Sequence, residues 1–389
     1  MYVGLHNLNN ISGNVGDDLI RKSVLDIIED TTGTSTDDFA ELFYRGEDLT
    51  SRLDRVNEAD AIIIFKLRVT KRDVRSKKHP IAEDLDEVEP PLIPLSSAYW
   101  FFPGLESLIE GQILESSTTE FLDVVASNCP GGRIPVRTEW VGKVLENNGY
   151  ATILNGDPAW YHPEYIGESF HKPESIDQLV FTPPHNTLYK EQAKRLVAAL
   201  ADRFPNAERI ISFHFTLDEN DRKLREFADK KGYNIRYTSH DADNLEFYRN
   251  SDLHVGYLKH GHLAHLRLRR PSVVLAEDSR AMGLQGAFMQ ATVPAFEPRF
   301  PNTAYPYASD LLESDPGRAV QILLDRLPTG VDFEKWQAIA RPNPDATQAV
   351  TGFVDDQLEQ DWEAYDDIGE KIDRTYQNAM QPYIKSIFD

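Results

Sequence analysis

The side chains best suited to chemistry lie in one stretch, His254-Val255-Gly256-Tyr257-Leu258-Lys259-His260-Gly261-His262-Leu263-Ala264-His265. It holds four of the 11 histidines in the chain. Imidazole titrates near neutral pH, so a histidine here can serve as a general acid or base. A metal reading would use His260, His262 and His265, but no carboxylate joins them in the segment and no HExxH pattern occurs, so no metal is assigned. His265 reads more simply as a core residue. Two further segments supply positive charge. Arg137 ends the run Ile134-Pro135-Val136 just ahead of a helix, and Arg280 follows Glu277-Asp278-Ser279. Guanidinium groups grip carboxylate or phosphate through paired hydrogen bonds. A salt bridge of Arg137 with Glu139 or another neighbour is the local alternative.

A third segment, Ser12-Gly13-Asn14-Val15-Gly16-Asp17-Asp18, is a glycine loop ahead of a helix, where a backbone can approach an anion. It reads equally as a plain turn, and it lacks both GxGxxG and GxxxxGK[ST]. Asp157, in Gly156-Asp157-Pro158, reads as a turn or cap residue. No GxSxG occurs, and the single cysteine, Cys129, sits in a Pro/Gly turn without a histidine close in sequence. A serine or cysteine nucleophile, a disulfide framework and a multi-cysteine zinc site are thereby set aside.

These segments need a scaffold, and hydrophobic periodicity describes it. A strand at Tyr2–Leu5 leads through a polar loop into a helix capped by Asp17 or Asp18, with Leu19, Ile20, Val24, Leu25, Ile27 and Ile28 on its apolar face. Ala59–Phe65 is a strand buried on both faces. A second pass runs from Leu92–Leu95 through a helix-like stretch ending near Ile113 to a strand at Phe121–Ala126. Between the passes, Arg68–Lys78 is basic and Glu83–Glu89 acidic, a surface excursion or a lid over 68–91. Strand, helix and strand follow at 134–137, 139–148 and 151–154. After an irregular stretch at 161–176 the alternation restarts with strands at 179–182, 209–215, 234–238, 254–256 and 272–276. Alternation in both halves predicts an α/β protein of two Rossmann-like doubly wound domains, 1–175 and 176–345. A helical tail, 346–389, packs back across them.

Composition narrows the partners. The chain has 389 residues, of which 41% are hydrophobic, enough for two cores. With 63 acidic against 41 basic residues the net charge is -22, so nucleic acid and membrane surfaces are poor partners. Acid spread along the chain suits a halophilic, high-salt setting. Neither an apolar leader in Met1–Asp18 nor an apolar run long enough to span a bilayer is present, and a soluble cytoplasmic protein is expected.

Taken in order, the motifs resemble the polysaccharide pyruvyl transferase family. Gly13-Asn14-Val15-Gly16-Asp17 matches its opening loop, Val136 to Glu139 its Val-Arg-x-Glu helix start, and Gly156-Asp157-Pro158 its Gly-Asp-Pro turn. Ser251 to His260 matches in part its Ser-Asp-Leu-x-x-Gly-x-Arg-Leu-His segment, with Leu258 where the family has arginine. Phe65-Lys66-Leu67 stands where the family has a glycine-rich turn. The resemblance implies a GT-B-like pair of Rossmann domains facing across a cleft. It also implies transfer of a pyruvyl ketal from phosphoenolpyruvate to two hydroxyls of a sugar in a cell-surface glycan or its lipid-linked precursor. His260 would protonate the enol carbon and Arg137 would hold the donor. Lys259 and Arg280 would supply the charge missing at Leu258, and Asn14, Gly16 and Asp17 would contact substrate. The donor would be the only small molecule required, with no metal or cofactor, and a homo-oligomer is compatible with it. Two other functions fit the same residues. One is a GT-B glycosyltransferase using a nucleotide sugar, whose ribose would need Glu277 or Asp278; the other is a non-catalytic glycan-binding or assembly protein.

Overall fold

The computed structural model describes residues 3–6, 13–36, 39–43, 53–70, 85–99, 113–284, 291–296 and 342–388. The helix-like stretch expected before Ile113, the middle of the 68–91 excursion and most of 285–341 lie outside the described residues.

The amino-terminal lobe is built on β1 (Val3–His6), β2 (Ala40–Phe43), β3 (Ala61–Ile64), β4 (Leu67–Val69), β5 (Leu92–Pro94), β6 (Ser97–Tyr99), β7 (Arg133–Val136) and β8 (Ala151–Leu154). A four-stranded sheet has the order β2-β1-β3-β5, and the pairs β4-β6 and β7-β8 extend the same parallel arrangement. The extension is continuous, because β3 and β4 are separated only by Phe65-Lys66, β5 and β6 only by Leu95-Ser96, and Arg137 N–H donates to Ser97 C=O. Alternation along β3 explains the burial on both faces. Ala61 and Ile63 join the core shared with α1 (Val15–Thr32), whereas Ile62 and Ile64 join a second core beneath α3 (Ser116–Asn128) and α4 (Glu139–Asn147). Between α1 and α3 there is also a short helix, α2 (Leu53–Asn57).

Two local expectations are corrected. Residues 121–126 are not a strand but the middle of α3, where Phe121, Leu122 and Val125 share one buried helical face. Helix α1 is capped by Asn14, whose Oδ1 accepts the N–H of Gly16, and not by Asp17 or Asp18. That shift leaves Asp17 on the first turn with its carboxylate available for another purpose.

The carboxyl-terminal lobe contains β9 (Gln178–Thr182), β10 (Glu208–Phe213), β11 (Tyr233–Tyr237), β12 (Leu253–Gly256), β13 (Ser272–Ala276) and β14 (Thr292–Pro294). Its helices are α5 (Lys190–Arg203), α6 (Glu219–Lys230), α7 (Lys259–Arg267) and α8 (Ser279–Met282). All six strands are parallel and lie in the order β11-β10-β9-β12-β13-β14. Written from β9, this is the doubly wound order 3-2-1-4-5-6, with a switch point between β9 and β12. The strands meet closely there: a Cβ on Gly256 would lie 2.1 Å from Thr182 Oγ1 and 2.5 Å from Thr182 O, so position 256 admits only glycine.

The tail returns across both lobes as α9 (Ala346–Glu359), α10 (Glu363–Thr375) and α11 (Gln381–Phe388). Trp362 Nε1 donates to Pro173 O, Tyr365 OH donates to Ser272 O, and Tyr376 OH bonds Asp30 of α1. Phe388 stacks on Phe39 at 6.2 Å. Two Rossmann-like lobes tied by a carboxyl-terminal helical tail make a GT-B-like fold.

Candidate active site

In doubly wound sheets a ligand sits beyond the carboxyl ends of the strands, at the switch point. In this protein that position faces the amino-terminal lobe. Helix α7 begins there, with Leu258 at its amino end offering no side-chain cap. Its first two residues, Lys259 and His260, are both buried and reach across to α1 and to the ends of β3, β7 and β8.

Asp157, which follows β8, ties the two lobes. One carboxylate oxygen accepts the N–H of Ala159, closing the turn expected from its sequence. The other receives Lys259 Nζ at 2.6 Å and lies 2.9 Å from Arg137 Nε. Burial pushes this carboxyl up, but Arg137 and Lys259 outweigh it and hold its pKa at about 2. Lys259 is driven well below its ordinary value by burial and by neighbouring Arg137. Arg137 therefore faces Asp157 and not Glu139. Its Nε contact to Asp157 is not aligned as a hydrogen bond, and Nη2 has no partner among the described residues.

A second ion pair stands beside the first. Lys66, in the kink between β3 and β4, reaches Asp17 at 2.9 Å, with both side chains buried. Burial and nearby cations pull Lys66 down to about 8, while Lys66 and His260 overcome the burial of Asp17 and hold its carboxyl well below the usual range. His260 packs directly on Gly16: a Cβ at position 16 would fall 1.6 Å from its Nδ1. Burial, then the charges of Lys259 and Lys66, keep this imidazole neutral, far below its ordinary pKa. Its Nε2 has no hydrogen-bond partner among the described residues.

On the carboxyl-terminal side, Glu277 follows β13. Its two oxygens accept the backbone N–H groups of His185 and Asn186, which follow β9. Burial and neighbouring Asp278 raise Glu277 to about 7. Arg280 turns back on Asp278, which takes both its Nε and its Nη2.

The structure thus brings His260, Arg137, Asn14, Gly16, Asp17 and Lys259 to one crevice between the lobes. Arg280 lies close enough for its charge to act on Arg137. Asn14 spends its side chain on capping α1. Sequence reasoning missed Lys66 and the bridging role of Asp157. The signal for Lys66 was a lysine directly after a buried strand; Asp157 gave none beyond its turn. The other histidines of the cluster are interior. His254 and His262 share Ser272 Oγ at 2.7 Å each, and His265 stacks on Tyr248 and His254, as its core assignment expected. Cys129 is buried and its thiol is pushed up to about 11, which removes it as a nucleophile. Among the described residues no three His, Cys, Asp or Glu side chains are placed to hold a metal ion, and no helix is long and apolar enough to cross a membrane.

No family model matches the chain, and no curated protein matches it. Solved structures do. MnaA from S. aureus in complex with UDP aligns over 93% of this chain and 98% of its own at 11% identity, with a TM-score of 0.45. A UDP-GlcNAc 2-epimerase from Neisseria meningitidis bound to UDP-GlcNAc aligns over 92% and 100% at 11% identity, TM-score 0.46. OtsA in its apo form aligns over 100% and 99% at 11% identity, TM-score 0.45. At such identity the likeness concerns the fold.

The expected activity, pyruvyl transfer from phosphoenolpyruvate, is corrected. Two of the structures just named, MnaA and the Neisseria meningitidis epimerase, carry UDP or UDP-GlcNAc. The crevice gives a physical reason in the same direction. That reaction needs an acid at the enol carbon, whereas His260 is held neutral. It also needs cations to spare for a small, multiply charged donor, whereas Arg137 and Lys259 share Asp157, Lys66 pairs with Asp17 and Arg280 with Asp278.

Proposed function

We propose that the crevice takes a nucleotide sugar and that the protein is a GT-B-type glycosyltransferase, moving the glycosyl group to a hydroxyl of a saccharide acceptor. The observation carrying this reading is the pairing, at the switch point, of the uncapped amino end of α7 with the buried carboxylate of Glu277 one strand away. Backbone N–H groups at a helix start suit a diphosphate. A carboxylate oxygen that accepts one backbone N–H keeps a second lone pair, so Glu277 can accept from the ribose hydroxyls.

The chemistry follows from the neighbours. The bond between the anomeric carbon and the diphosphate breaks as the acceptor oxygen bonds that carbon. The departing charge is met by the backbone N–H groups at the uncapped amino end of α7. His260 Nε2, a neutral imidazole nitrogen with no partner among the described residues, accepts the hydrogen bond that orients the acceptor hydroxyl, and the proton leaves with the departing diphosphate. The Asp17–Lys66 pair holds α1 and its Gly16 against that ring.

Thermal unfolding of the full chain with UDP, GDP, their sugars and phosphoenolpyruvate tests the reading. A ligand at a hundred times its Kd adds ~2.7 kcal/mol of stability. A UDP or GDP compound should raise Tm, and Glu277→Gln should reduce that rise. No shift with any nucleotide overturns the proposal.

A further inference from the structure

A cavity of about 450 Å³ lies between the lobes on the other side of α1 from the crevice. Asp17 and Asp26 are nine residues apart, and at about 100° per residue that places them on opposite faces of the helix. The size is that of a small-ligand pocket. Three helical faces make its walls: α1 from Leu19 to Asp30, the 3-10 turns at 242–250, and the end of α7. His162-Pro163-Glu164 closes one side.

Its lining combines an apolar floor with charged groups of both signs. Leu19, Leu245 and Leu268 supply the floor. The cations are all engaged: Lys22 with Asp243, Arg249 with Glu246, and buried Arg267 with Asp26 and Ser23. Arg267 Nε has no hydrogen-bond partner among the described residues. His162 adds no charge, because burial and the nearby Arg267 and Arg249 hold it neutral, at about 3. Against Lys22, Arg249 and Arg267 the lining carries five carboxylates, Asp26, Glu29, Asp30, Glu164 and Glu246. An anion is therefore disfavoured. Mixed donors and acceptors over an apolar floor suit a sugar ring, and the excess of carboxylate suits an amine.

We infer that this cavity is a second binding site, separate from the crevice, for an amine-bearing polyhydroxyl ligand of the amino-sugar class. The inference does not depend on what the crevice binds.

Titration calorimetry on the full chain tests it with glucosamine, N-acetylglucosamine, glucose and glucuronate, each with and without saturating UDP. Glucosamine should bind best and glucuronate worst, and UDP should not displace glucosamine. Glu29→Gln with Glu164→Gln, both at exposed rim positions, should weaken glucosamine about fivefold, the scale of a lost surface charge pair. The inference is overturned if no sugar binds, if glucuronate matches glucosamine, if the double variant binds unchanged, or if UDP competes. Glucosamine binding in a protein that ignores all nucleotides would sustain this site while removing the glycosyltransferase reading.

Discussion

Gly16 of α1 lies against the imidazole of His260 at the start of α7, so close that a Cβ at residue 16 would stand 1.6 Å from Nδ1 and 2.3 Å from Cγ. One glycine hydrogen thus sets how near the two lobes can come. Gly16→Ala should destabilise the protein by about 1–3 kcal/mol, the usual range for overpacking, and abolish nucleotide-dependent activity. Combining it with His260→Ala should return most of the lost Tm but none of the activity. Denaturant melts of the two single variants and the double variant form the cycle that checks this. Additive losses would mean that the two residues do not touch.

Removing the charge of Asp157 should be among the most damaging single changes. Asp157→Asn leaves Arg137 and Lys259 buried without their shared carboxylate. Breaking a buried pair from one side costs about 3–5 kcal/mol. Adding Lys259→Met should restore part of it. An Asp157→Asn protein as stable as the parent in urea would show that the bridge contributes nothing.

Glu277 gives the crevice a pH dependence near neutrality. If its ionised form accepts from ribose, nucleotide affinity should rise as pH increases through about 7 and level off above it. Glu277→Gln should give a flat, weaker profile, measured by calorimetry between pH 6 and about 8.5. Stability moves the opposite way. The folded pKa lies above the ordinary 4.5, so folding is favoured by the proton on Glu277 at low pH, and that contribution is lost as pH rises through about 7.

Acid should unfold the carboxyl-terminal lobe early. Burial holds His214, His262 and His265 at about 3 against an ordinary 6.5. The unfolded chain therefore binds more protons below 6.5, and stability falls as pH drops from there towards about 3. Each such histidine contributes a slope of about 1.4 kcal/mol per pH unit. His214→Gln, which keeps a hydrogen-bonding group near Tyr248 OH, should shallow the slope of stability against pH between about 4 and 6. An unchanged slope would exclude His214 as a source.

The alternation of strands and helices was legible in the sequence because hydrophobic period and capping are properties of near neighbours. Five of the six strands of the second lobe, all but β14, and the buried run at β3 stand within a residue or two of their expected places. Local reading failed where one pattern serves two elements: Phe121, Leu122 and Val125 fit a short strand as well as the helical face they form. It failed again at Asn14, because an Asn, Gly and Asp loop offers several caps and only the fold selects one.

The residue types that can do chemistry were likewise visible, but their pairing was not. Asp17 meets Lys66 across 49 positions within the amino-terminal lobe, once strand order sets α1 beside the end of β3, and Asp157 meets Lys259 across 102, once the two lobes stand face to face. Charge state follows from that same enclosure. His260 reads as an acid from its type, yet burial beside Lys259 and Lys66 makes it neutral, and Arg137 reads as a spare cation until Asp157 stands beside it. Composition decided which groups are present; desolvation and long-range contact decided which of them carry a proton.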